Sequence, residues 1–185
     1  DCGLIAQKVV SRMSDGMSTK ELDELSSQLC MEMITTHPEY GNLGRDISIN
    51  NHHKNTPDSF YNTCLMLFNN TDKIGNYSPL INHEMWEIIN KYKTDIEDMI
   101  DYERDYFVTY FGFKTLCKSY LLKVEGNIVE RPQHMFMRVA LAIHDDNMFR
   151  VKETYDEMSK LNFIHATPTL FNAGTTYQQL SSCFL

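Results

Sequence analysis

The stretch Pro132-Gln133-His134-Met135-Phe136-Met137-Arg138-Val139-Ala140-Leu141-Ala142-Ile143-His144 decides how this chain folds. Proline fits the first turn of a helix, where its missing N–H leaves no bond unmade. From there Met135, Phe136, Val139 and Ile143 recur at three- and four-residue spacing and share one face. That spacing predicts an amphipathic helix over 132–144. Just upstream, β-prone runs at 119–124 and 127–131 flank the turn dipeptide Gly126-Asn127, the pattern of a hairpin whose second strand Pro132 ends.

Outward from this core word the chain reads as mainly α. Leu4, Ile5, Val9, Val10 and Met13 predict a helix closed by Ser14, Asp15 and Gly16. Ser18 stands three residues before Glu21, the capping-box spacing, and Leu22, Leu25, Leu29 and Met33 continue a second helix until His37 and Pro38. The Asn-, His- and Gly-rich segment 41–57 predicts a connection with one short helical turn, and a boundary near Thr56. Beyond it come a short helix at 61–68, a polar loop at 69–79, a helix at 84–100 and a last helix at 148–161. Tyr106, Phe107, Tyr110, Phe111 and Phe113 crowd together, which predicts burial of that segment. From Pro168 and Gly174 onward the composition predicts loops and short strands; no internal repeat is present.

Composition excludes several classes. With 185 residues, 42% of them hydrophobic, 17 basic and 25 acidic side chains and a net charge of -8, the chain has the makings of a buried core. It lacks the Lys/Arg run that nucleic-acid binding rests on. Its apolar runs are broken well short of the roughly 18 residues of a membrane helix, so neither nucleic acid nor membrane is an expected partner, and a cytoplasmic location is. Cys2, Cys30, Cys64, Cys117 and Cys183 are odd in number, with no C-x-x-C pair. That argues against a structural zinc site or a disulfide framework and for free thiols, and no metal site is expected. Opening at Asp1 and stopping within an apolar run at Leu185, the sequence reads as a fragment.

Each candidate chemical residue has a plain structural reading beside it. Cys183 is either a buried thiol, the commoner fate of free cysteine, or a redox group. Thr167 and Ser182 either satisfy turns or hold phosphate oxygens. Thr19 and Asp23 are suited to the first turns of a helix on capping and dipole grounds. Lys54 beside His52 and His53 is either a metal or phosphate cluster or, since no other ligands accompany it, a solvated loop, the reading preferred on spacing.

Longer words change these odds. Glu130-Arg131-Pro132-Gln133-His134-Met135, Tyr110-Phe111-Gly112-Phe113-Lys114-Thr115-Leu116, and Thr167-Pro168-Thr169-Leu170-Phe171-Asn172-Ala173-Gly174-Thr175 followed by Gln179-Leu180-Ser181-Ser182-Cys183-Phe184-Leu185 occur in that order. Together they closely resemble the class I ribonucleotide reductase large (alpha) subunit, nearest its eukaryotic and viral branch, over essentially the whole chain. The resemblance implies the C-terminal part of an ATP-cone at 1–56, a helical N-terminal domain at 57–176 carrying the hairpin, and the first strand of the catalytic α/β barrel at 177–185.

It also implies reduction of ribonucleoside diphosphates by thiyl-radical chemistry, with Cys183 as one of two redox thiols and Thr167 and Ser182 contacting substrate. Thr19, Asp23 and Lys54 resemble allosteric contacts for ATP or dATP, although the cone's basic, glycine-containing segment has no counterpart here. Arg45 remains unassigned. The implied partners are a small subunit holding the metal radical cofactor, a thioredoxin- or glutaredoxin-like dithiol, and a second large chain. No covalently bound cofactor is implied. The thiyl-forming cysteine and the second redox thiol would follow Leu185, so independent turnover by this segment is not expected. The rival reading is a nucleotide-sensing regulatory module without catalysis.

Overall fold

A computed structural model describes residues 2–183, which form ten α-helices, one 3-10 turn and one two-stranded hairpin. They divide into two compact units: the first runs to Asn55 and takes in Val108–Lys114, and the second is Thr56–Phe107 with the described residues from Thr115 onward.

The first unit is built on α1 (Cys2–Arg12), α2 (Thr19–Glu32) and α3 (Glu39–Lys54). The capping box forms: the Ser18 amide donates to Glu21 Oε2 at 2.8 Å, and the Glu21 amide donates to Ser18 Oγ at 3.3 Å. The backbone bond from Ser18 holds the Glu21 carboxyl below its ordinary range. Ile5, Val9, Leu29, Cys30, Met33 and Tyr40 form the core, with Leu22, Leu25, Leu43 and Ile47 packed on it. The expected loop at 41–57 is instead most of the 16-residue α3. Its glycines and asparagines read as loop, but Gly44 and Asn51 serve a helix crossing. A Cβ on Gly44 would lie 3.0 Å from the Ser27 carbonyl oxygen and 3.1 Å from Cys30 Cβ, Ser27 Oγ donates to the Gly44 carbonyl at 2.7 Å, and Asn51 Nδ2 donates to the Lys20 carbonyl at 3.1 Å. Tertiary contact overrides weak helix propensity here.

The second unit contains α4 (Phe60–Phe68), α5 (His83–Lys91), α6 (Lys93–Met99), the 3-10 turn Tyr102–Phe107, the latter part of α7 (Tyr110–Ser119), β1 (Lys123–Val124), β2 (Asn127–Ile128), α8 (Pro132–His144), α9 (Met148–Ser159) and α10 (Thr167–Asn172). The single helix expected over 84–100 breaks at Tyr92, whose backbone at φ -113, ψ 25 is not helical. The hairpin pairs Val124 with Asn127, so its turn is Glu125-Gly126, one residue earlier than expected. Both have positive φ, +50 and +82, the requirement of a two-residue type I′ turn. α7 absorbs Ser119, the first residue of the expected strand.

Two burial expectations need correction. Of the aromatic run, Phe113 is buried, but Phe107 and Phe111 are 57% and 80% exposed. The run is divided between a 3-10 turn and the start of a helix, so its rings cannot share one face. α8 begins and ends where expected but is buried on every side from Pro132 to Leu141, while Ile143 at its end is 38% exposed. The segment after 166, expected as loops and short strands, opens with α10. Residues 177–183 form no strand: a strand needs a ladder partner, and among the described residues none lies alongside. Phe184 and Leu185, the end of the expected barrel strand, lie outside the described residues.

Candidate active site

The hairpin-to-helix word is the site's scaffold. Arg138 is fully buried in mid-α8, and its guanidinium donates from Nε to Glu130 Oε1 at 2.6 Å and from Nη2 to Oε2 at 3.1 Å. The same Glu130 oxygen, Oε2, accepts the Leu122 amide at 2.9 Å, tying the pair to the residue before β1. Arg138 Nη1 donates to the Ala173 carbonyl at 2.6 Å and Nη2 to the Leu170 carbonyl at 3.1 Å. A guanidinium offers five donors in a fixed fork, and burial demands that they be used. Here they join α8, the end of β2's segment and the last turn of α10.

Neighbouring polar residues are satisfied in the same way. The amide and Nε2 of Gln133 donate to Asp105 Oδ1 at 3.2 and 3.1 Å, and Gln133 Oε1 accepts the Tyr155 hydroxyl at 2.8 Å. Burial pushes the Tyr155 hydroxyl up to about 12. The Arg131 amide donates to His134 Nδ1 at 3.2 Å, so the ring proton belongs on Nε2, 3.0 Å from the Tyr102 oxygen. Tyr102 in turn donates to Glu97 at 2.9 Å, and burial first, the Glu97 charge second, raises its pKa. None of these roles is visible in periodicity. The signal in the sequence is an arginine inside an apolar helical run, which needs a partner when buried, with a glutamate eight residues before it.

This frame leads directly to three of the candidate residues. Gly174, at φ +79, follows the clamped Ala173; its carbonyl accepts the Asn82 amide at 3.0 Å, and Thr175 bridges Ile81. A Cβ there would overlap the Met85 side chain. Beyond this anchor the tail doubles back: Asn172 Nδ2 donates to the Gln179 carbonyl at 2.8 Å and Thr169 Oγ1 to the Leu180 carbonyl at 3.4 Å. The tail therefore runs antiparallel to α10, toward the end that carries Thr167. Thr167 Oγ1 lies 3.1 Å from the Tyr120 hydroxyl. Ser182 Oγ is 3.9 Å from Cys183 Sγ, and all three candidates are exposed. Cys183 is thus not the buried thiol that composition favours.

The other three candidates lie in the first unit. Lys54 is the last residue of α3 rather than part of a loop, and its Nζ pairs with Asp23 Oδ2 at 2.8 Å. Thr19 is one turn before Asp23 on α2, so the three residues are brought together. Such an exposed pair is worth about 0–1 kcal/mol, so an anion can take over the ammonium. One ammonium and one hydroxyl form only part of the convergent donor set that a triphosphate needs. A cleft of about 590 Å³ in this unit is lined instead by Cys2, Thr36, His37, Glu39, Tyr40 and Leu43. Among the described residues no three His, Cys, Asp or Glu side chains converge as a metal site, and no helix is long and apolar enough to cross a membrane.

Comparison with known proteins matches this architecture. Residues 106–178 match the family described as "Ribonucleotide reductase, all-alpha domain". Over 183 residues, 98% of this chain, the sequence is 49% identical to the ribonucleoside-diphosphate reductase large subunit of Arabidopsis thaliana, and covers 22% of that protein. The Monkeypox virus large subunit is 49% identical over 98% of this chain and 24% of its own length, and the Plasmodium falciparum one 45% over 100% and 23%. The chain thus spans about a quarter of the length of the curated relatives it matches. Over the stretch it shares with them, this chain belongs to the family of ribonucleotide reductase large subunits.

Proposed function

We propose that this chain is the N-terminal segment of a ribonucleoside-diphosphate reductase large subunit, an oxidoreductase that makes deoxyribonucleoside diphosphates for DNA synthesis. Cys183 acts as one of two thiols that reduce the substrate. The ribose 2′-hydroxyl takes up a proton and leaves as water. Two thiols give up two electrons and two protons as their sulfurs join in a disulfide: one proton leaves in the water, the other ends with both electrons in the new C–H bond at the 2′ carbon, and an external thioredoxin- or glutaredoxin-like dithiol resets the disulfide by exchange. The second thiol and the radical-forming groups belong to other parts of the complete enzyme, with the metal radical cofactor on a separate small subunit. Thr167 and Ser182 offer hydroxyls to the diphosphate and sugar. Thr19, Asp23 and Lys54 contribute part of an effector site for ATP or dATP, completed elsewhere in a homodimeric large subunit. A cytoplasmic location accompanies thiols that cycle in a reducing compartment.

The observation that carries this reading is an exposed thiol on a tail hydrogen-bonded back along α10, toward the hydroxyl of Thr167. A purely regulatory module has no use for a reducing thiol so held. In the complete enzyme, Cys183→Ser removes the electrons while nearly preserving volume. Dithiol-coupled deoxynucleotide formation should be abolished with the fold intact; turnover at the normal rate would refute the role.

A further inference from the structure

We propose that Arg138, held by Glu130, is a positioning residue for the nucleotide-reducing tail. The inference rests on the reductase reading of Cys183 and adds to it the group that sets where the tail sits. The two carbonyls that Arg138 grips, Leu170 and Ala173, are the last turn of α10 and the residue that closes it. Both ends of the candidate site leave from this point. α10 runs from it back to Thr167. The chain also runs from it through Gly174, pinned by Asn82 and unable to take a Cβ beside Met85, and then returns along α10 to Ser182 and Cys183.

The grip is over-determined. Three guanidinium nitrogens meet four acceptors at 2.6–3.1 Å, Glu130 is 1% exposed and Arg138 not at all. A planar fork with four of its donors so committed cannot slide without breaking a buried bond. By contrast the tail has two bonds to α10, one long at 3.4 Å and half-buried, the other at 2.8 Å and exposed to water. Position is therefore inherited from the buried pair and passed outward. An ammonium in place of the fork keeps the charge but cannot hold both carbonyls and the carboxylate at once.

The test uses the complete reductase with its small subunit and a dithiol. Arg138→Lys and Glu130→Asp each keep the charges and shift the grip by about an ångström, a displacement for which a loss in kcat/KM on the order of 10²-fold is expected. The loss should appear chiefly as a raised KM for the nucleoside diphosphate. Tyr155→Phe, which removes buried hydrogen bonds elsewhere in the same unit, serves as the stability control and should lower Tm with KM unchanged. Unchanged KM in both conservative variants, or a KM rise in Tyr155→Phe of the same size, overturns the proposal. If neither conservative variant folds, the pair is a folding element alone and the proposal likewise fails. Normal turnover in Cys183→Ser would strike the reductase reading itself, whereas a dead Cys183→Ser beside unperturbed Arg138→Lys would strike only this one.

Discussion

Two ion pairs, one within each unit, differ sharply in their surroundings. Lys54 and Asp23 meet at 2.8 Å with 65% and 27% of their side chains exposed; Arg138 and Glu130 meet at 2.6 Å with 0% and 1% exposed. The distances are nearly alike and the consequences are not. Water screens the first pair, which holds little and can be opened by a competing anion. The second has lost its water, so either partner left alone is an uncompensated buried charge. The first unit is held by apolar packing, and its Lys54–Asp23 pair stays open to water. The second places a charge at its centre and uses it to fix backbone.

The sharpest way to break this comparison is to remove one partner from each pair. Glu130→Ala should destabilise the chain by about 3–5 kcal/mol in urea unfolding, because Arg138 keeps its charge and loses its carboxylate. Lys54→Met should change stability by less than about 1 kcal/mol. Equal effects would mean that burial is not what distinguishes the pairs.

Between these extremes lies Gly44→Ala in the first unit. Alanine gains about 1 kcal/mol in helix propensity, but overpacking against the Ser27 carbonyl costs about 1–3 kcal/mol. Net destabilisation is expected, read as a lower urea midpoint at unchanged m value. A more stable variant would show that the α2–α3 crossing has room. Ser18→Ala should cost about 1 kcal/mol by loss of the cap.

The smallest effect is a pH dependence. Glu21's folded pKa lies below its ordinary value of 4.5, so its contribution is fully present above that value and is lost as pH falls through the lower, folded one. The gap in Tm between wild type and Glu21→Ala should therefore narrow as pH is lowered from 7 toward 3. A gap that stays constant would remove Glu21 from the cap.

Much of this fold was legible in the sequence because its signals are local. The capping box at Ser18 and Glu21, the Pro132 start of α8 and the two amphipathic helices of the first unit follow from spacing alone. What was hidden depends on contacts between distant residues. α3 is a helix because Gly44 lets another helix approach, which no window around Gly44 reveals. Phe111 is exposed because its neighbours split between two kinds of turn. At the site, Cys183, Thr167 and Ser182 came from resemblance to a family rather than from spacing, and their arrangement along α10 needed the structure. Glu130 and Arg138 lie in plain view in the sequence, eight residues apart. Only their burial reveals that they grip the carbonyls of Leu170 and Ala173.

One measurement tests the account most directly. The complete reductase, freed of dithiol and given a ribonucleoside diphosphate, should form about one deoxynucleotide per active site and stop, and peptide mapping should then find Cys183 in a disulfide. A burst of product with Cys183 still alkylatable as a free thiol would contradict it.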